Sequence, residues 1–173
     1  MAQEITILPI DRSTLGGGLA RMVDRFHNEG SLTGDHDTDA FLRQHPNAAL
    51  LGLLYDQRIR AEVAFTGPVR LAQRLGHLDM RRIAAMDLDT LRVSFAQQPA
   101  VHRFSNKMAE FTLAVAAMIA EKYEGDAANL WNDGASSTVI AKRLRALPGF
   151  GLGKSAKMKF VLHYLGYRDF SNE

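Results

Sequence analysis

A chain of 173 residues with 46% hydrophobic content is enough for one domain with a real core, and no apolar run approaches the roughly 18 residues of a membrane span. It contains no cysteine, which excludes disulfides, thiolate zinc sites and iron–sulfur clusters. With no secretory signal at the start, a cytoplasmic protein without a membrane partner is expected. The net charge of +2 is unevenly spread: residues 134–168 carry seven Lys or Arg and no acid, whereas residues 1–133 carry fourteen basic and seventeen acidic side chains. Such a localised basic end is the kind of patch that meets phosphates, the alternative being a solvated helix face.

In chain order, "ITILPID" (residues 5–11) alternates like a short strand, isolated enough to be an edge or an arm. The triple glycine Gly16–Gly18 is not followed by Lys-Ser/Thr, so it is not a Walker-type phosphate loop. A short helix is expected from about Leu19 to Asn28, ending near Gly30. Residues 1–34 thus read as an N-terminal arm with one helix, and the polar, turn-rich "GSLTGDHDTDAF" opens a main domain over residues 35–173.

From there the pattern is helical. "NAALLGLLYDQ" is apolar on nearly every side, as a central buried helix is. "EVAFTGPVRLAQRLG" follows, with an expected interruption at Gly67-Pro68 and an end at Gly76. "DMRRIAAM" and "DLDTLRVSFAQ" read as two short helices, each opened by a capping aspartate. Ser105 opens the clearest helix, with Met108, Phe111, Val115, Met118 and Ile119 on one face, stopping at Glu124-Gly125. Ser136 or Ser137 caps the next, which carries Ile140 and Leu144 toward Leu147. The fold class is all-α, a compact helical bundle closed by short connections. The six histidines, at 27, 36, 45, 77, 102 and 163, include no pair at helix-face ligand spacing, so no side-chain metal site and no cofactor is expected.

The stretch "LRALPGFGLGKSAKMKFVLHYLG", residues 144–166, crosses a proline and three glycines before restarting as a lysine-studded helix. Pro148 ends the first helix. Gly149 and Gly151 permit positive φ, so successive backbone N–H groups can point the same way, and the next helix adds its own free N–H groups and positive dipole end. This predicts an anion site for a backbone phosphate, with Lys154, Lys157 and Lys159 beside it.

At these residues the chain resembles the helix-hairpin-helix (HhH-GPD) DNA glycosylases, whose hairpin reads roughly Leu-Pro-Gly-Val-Gly-x-x-Thr-Ala. "LPGFG" supplies Leu147, Gly149, Phe150 and Gly151, whereas "LGKSA" departs from the pattern. Counted without a gap, Gly153 takes the position of the lysine used by lyase-active members; with one inserted residue, Lys154 does. "HRFSNKMAEF" is similar to the family's aromatic–x–x–Lys-Ala helix, with Phe104 and Lys107 in the matching places, and "LLGLLYDQ" to its apolar helix ending in Leu-Leu-Ser-x-Gln, which makes Gln57 the filler of the space left by a flipped base. A small bacterial branch sharing "DQ" and "HRF" strings is nearest.

The resemblance implies a base-excision repair protein on double-stranded DNA, a monofunctional glycosylase hydrolysing the N-glycosidic bond of a damaged or modified base; a monomer is expected, with the oligomeric state open. It also implies a K+ or Na+ ion against the hairpin carbonyls of Gly149 and Gly151. The family's catalytic aspartate would fall at Ser171 or Asn172, neither an acid; Asp169 is the nearest candidate. Asp56 is the second, placed by its position at the end of a buried helix, where desolvation would raise its pKa and suit proton handling. The alternative function is a non-catalytic DNA-binding module that kept the hairpin and lost the aspartate.

Overall fold

The computed structural model describes residues 6–173, and among them there is no strand. The chain runs through α1 (Gly17–Glu29), α2 (His36–Gln44), α3 (Pro46–Tyr55), α4 (Ala61–Leu75), α5 (Met80–Ala84), α6 (Leu88–Ala96), α7 (Ser105–Lys122), a 3-10 turn (Ala127–Leu130), α8 (Ser137–Arg145) and α9 (Leu152–Tyr164).

Helix α3 is the axis of the molecule. Every residue from Ala48 to Tyr55 is buried, as its unbroken apolar sequence requires. It packs against α2, α4 and α9, while α5 and α6 lie on α7, and α8 pairs with α9. Helix α1 joins the same core through Leu19, Met22 and Val23. Its exposed side is tied to α4 by Arg21 and Arg25, which both donate to Glu62.

Most helix ends follow the local chemistry of their residues. Asp79 accepts from the N–H groups of Arg81 and Arg82, Asp87 from Thr90, and Ser136 from Val139, so each caps a first turn that otherwise leaves donors orphaned. Gly30 and Gly76 close α1 and α4 in the left-handed conformation.

Three expectations change. Residue 5 of the expected strand lies outside the described residues, and residues 6–11 form an arm without strand geometry. No strand among the described residues is at hand to pair with it. Instead, His163 accepts the Phe170 N–H at Nδ1 and donates from Nε2 to Leu8 O at 2.5 Å, and Ile10 N–H donates to the Tyr164 hydroxyl.

The polar stretch after Gly30 turns only as far as Asp35, which caps α2. What organises the turn is Asp39, a buried carboxylate that accepts from Ser31 Oγ at 2.7 Å and from the N–H groups of Leu32 and Thr33, both at 3.0 Å. Helix α4, finally, runs straight through Gly67-Pro68. A β-carbon at position 67 would lie 2.8 Å from the Tyr55 ring and 3.1 Å from Val101 O, so this glycine serves close packing against α3, not a break.

Candidate functional site

Helix α3 ends where its apolar run ends. Asp56, with φ −73 and ψ 73, forms an inverse γ-turn in which Gln57 N–H donates to Tyr55 O at 2.8 Å. The next residue, Arg58, has φ +57, a left-handed conformation that costs an L-residue. This sharp corner leaves the last carbonyls of α3 in need of donors, and two distant side chains supply them. Lys154 Nζ donates to Leu54 O at 2.8 Å and lies 3.3 Å from Gln57 Oε1. His102 accepts the Phe104 N–H at Nδ1 and donates from Nε2 to Tyr55 O at 2.9 Å. A cation at the negative end of a helix is also favoured by the helix dipole.

The electrostatics of this corner are those of a partly desolvated pair. Burial raises the pKa of Asp56, against the opposing pull of Lys157 and Lys154. Burial lowers Lys154 to about 8, although Asp56 works the other way. His102 is likewise pushed down by burial, and the nearby Lys154 charge adds to that effect. Burial thus works against the charged form of both Asp56 and Lys154, while each charge supports the other.

Lys154 reaches this corner from the hairpin. Leu147 and Phe150 are buried and anchor the turn, with Phe150 N–H donating to Leu147 O at 3.3 Å. Gly149 has φ +83, but Gly151 has φ −90 and ψ −174, so only the first glycine uses the left-handed region. Gly151 is ordinary extended backbone at the N-cap of α9. The first helical bond of α9 is Ser155 N–H to Gly151 O. The N–H groups of Gly151, Leu152, Gly153 and Lys154 have no acceptor among the described residues. Added β-carbons at Gly151 and Gly153 would meet nothing within 4 Å, so the backbone here is open to an outside partner. Lys107 is exposed above the Phe111 ring, its Nζ 5.2 Å from the centroid, and that ring packs where a Gly149 β-carbon would be.

The fold thus brings Asp56, Gln57, Lys154 and Lys157 together, with the hairpin and Lys107 adjoining. It does not bring Asp169 to them. That carboxylate, 67% exposed, lies 3.9 Å from His163 Nδ1, and hydrogen bonds from Ser171 hold its pKa below the usual range. His163 is nine residues beyond Lys154 on α9, about 13 Å along the helix. Asp169 instead borders a cavity of about 160 Å³ beside the N-terminal arm, lined also by Thr6, Leu8 and Arg168.

Sequence reasoning missed the arginines. A groove of about 550 Å³ opens on the other flank of Asp56, lined by Arg21, Arg58, Ile59, Arg60 and Arg103. Their signal is present in "DQRIR" and "HRF", where Arg58 and Arg60 follow Gln57 and Arg103 precedes Phe104. His102 was equally invisible as a partner of α3.

Among the described residues no group of three or more His, Asp or Glu side chains is placed to hold a metal, and no helix is long and apolar enough to cross a membrane. Compared with protein-family models and with curated proteins, the chain matches none.

Proposed function

We propose that this protein binds double-stranded DNA as a monomer and acts as a monofunctional base-excision glycosylase of the helix-hairpin-helix type. The observation that carries the reading is the bond from Lys154 Nζ to Leu54 O: it fastens a hairpin with free backbone donors to a corner bearing an exposed glutamine and a partly desolvated carboxylate. In this reading the N–H groups of Gly151 to Lys154 hold a phosphate, aided by the charges of Lys157 and Lys107. Gln57 fills the gap in the stack when the target nucleotide is extruded.

Breaking the N-glycosidic bond develops positive charge on the sugar, which a nearby carboxylate stabilises. Asp56 takes that role in preference to Asp169, because it stands beside Gln57 and the hairpin helix. Gly149 O accepts from no donor among the described residues, and Gly151 O has one of its two lone pairs engaged by Ser155 N–H. Both keep acceptor capacity for a K+ or Na+ ion, which would offset phosphate charge.

Duplexes carrying a single uracil, hypoxanthine, alkylated or oxidised base, incubated with the protein and then with hot alkali, test the proposal. Strand breaks at one lesion, abolished in Asp56→Asn and retained in Asp169→Asn, are expected. Loss in Asp169→Asn alone would move the carboxylate to the far end of α9. Breaks before alkali would make Lys154 a Schiff-base amine and the enzyme bifunctional. No breaks at any lesion, with salt-sensitive duplex binding intact, would favour the non-catalytic module.

A further inference from the structure

The groove beside Asp56 has a charge pattern of its own. Arg58 and Arg103 form no ion pair among the described residues. Arg60 approaches Glu62 only to 3.7 Å, and that carboxylate is already engaged by Arg21 at 2.9 Å and Arg25 at 3.2 Å. Burial works against the Glu62 charge, yet the hydrogen bonds from Arg21 and Arg25 win and lower its pKa to about 2. Glu62 is thus a satisfied anion, and the positive charge of Arg58, Arg60 and Arg103 is left facing the groove.

Two of these arginines have local features that bear on the groove. The Arg58 backbone is left-handed at the corner, where glycine or asparagine would cost less, so an arginine stands there at a conformational cost. Arg103 lies over the Phe104 ring at 5.7 Å, which leaves its edge donors free. The groove lining contains no aromatic side chain on which a base would stack. Planar guanidiniums with free edge donors match phosphate oxygens in paired N–H···O contacts.

We propose that this arginine groove is a second phosphodiester site, holding the strand opposite the one gripped by the hairpin; the inference rests on the nucleic-acid reading above. Asp56 borders both basic surfaces, with Lys154 and Lys157 on the hairpin side and Arg21 on the groove side. A duplex offers two rows of phosphates to two such surfaces, whereas a single strand offers one. Gln57, exposed between them, then faces the base stack.

The test is fluorescence anisotropy with a labelled duplex of about 20 base pairs and a single strand of equal length, over about 50 to 200 mM salt. Removing three phosphate contacts in Arg58→Gln/Arg60→Gln/Arg103→Gln should flatten the slope of log affinity against log salt for the duplex by about two to three. It should also weaken duplex binding at least about tenfold at 100 mM salt, while single-strand affinity stays within about twofold. Lys157→Gln, on the hairpin side, should weaken both ligands. The triple arginine-to-lysine variant keeps the charge and should keep the slope, which separates lost contacts from a damaged fold. An unchanged duplex slope in the glutamine variant, or equal losses for duplex and single strand, would overturn the second site and leave the hairpin reading standing. Absence of salt-sensitive binding in the wild-type protein would overturn both.

Discussion

A β-carbon at Gly149 would lie 2.6 Å from Leu54 Cδ1 and 3.2 Å from the Phe111 ring, on a backbone with φ +83. Alanine there meets two costs together, about 1–2 kcal/mol for the left-handed backbone and about 1–3 kcal/mol for overpacking. Gly149→Ala should therefore lower stability by about 2–5 kcal/mol in urea denaturation. Gly151 is different in kind, because its backbone is extended and its missing side chain faces open space. Gly151→Ala should leave the denaturation midpoint unchanged and weaken duplex binding severalfold, since a methyl group would stand where a phosphate must approach the N–H groups. Wild-type affinity in that variant would remove the argument for a phosphate cradle at the hairpin. The two glycines look alike in "LPGFG"; only the neighbours at Leu54 and Phe111, brought from distant segments, separate a packing glycine from an open one.

Between elements, the closest approach is a reciprocal one. Gly52 of α3 receives the ring of Phe65 from α4, with a virtual β-carbon 2.3 Å from Phe65 Cδ1, and Gly67 of α4 receives the ring of Tyr55 from α3. Both rings are fully buried and have nowhere to go. Gly52→Ala should cost about 1–3 kcal/mol, and Phe65→Leu in the same chain should recover part of that loss, a non-additivity that a double-mutant cycle measures. Additive losses would mean the two helices separate instead of clashing at this one contact. Helix existence and most caps were legible, because apolar period and the Asp or Ser before a first turn are local signals. Pro68 was misleading, since a proline costs an interior helix a bond and a clash but does not forbid it, and here both Gly67 and Pro68 are buried, with Gly67 against Tyr55 of α3. The start of α2 was hidden because Asp, Thr and Gly read as turn residues until a buried Asp39 is seen to gather their donors.

At the scale of the whole chain, the candidate site exists only when the fold is complete. Lys154 and Leu54 are 100 residues apart in sequence, and no local pattern announces their bond. The residues of the corner and the hairpin were nameable one by one, but their meeting, and the distance of Asp169 from it, were not. This long-range assembly ties a titration to global unfolding. The folded chain holds Lys154 at about 8, whereas the unfolded chain releases it to the ordinary value of 10.5. Between those values the unfolded state binds more protons, so stability must rise with pH across that window. Tyr55 and Tyr167 limit the rise from above. Burial pushes both phenols upward, so the unfolded chain alone ionises them near pH 10, and stability then falls. Denaturation midpoints measured from pH 7 upward should climb beyond about pH 8, pass a maximum near pH 9–10 and decline. In Lys154→Met the climb should vanish while the decline remains. A wild-type profile flat from pH 7 to 9 would mean that the Lys154 ammonium is solvated, and the desolvated pair at the Asp56 corner would lose its physical basis.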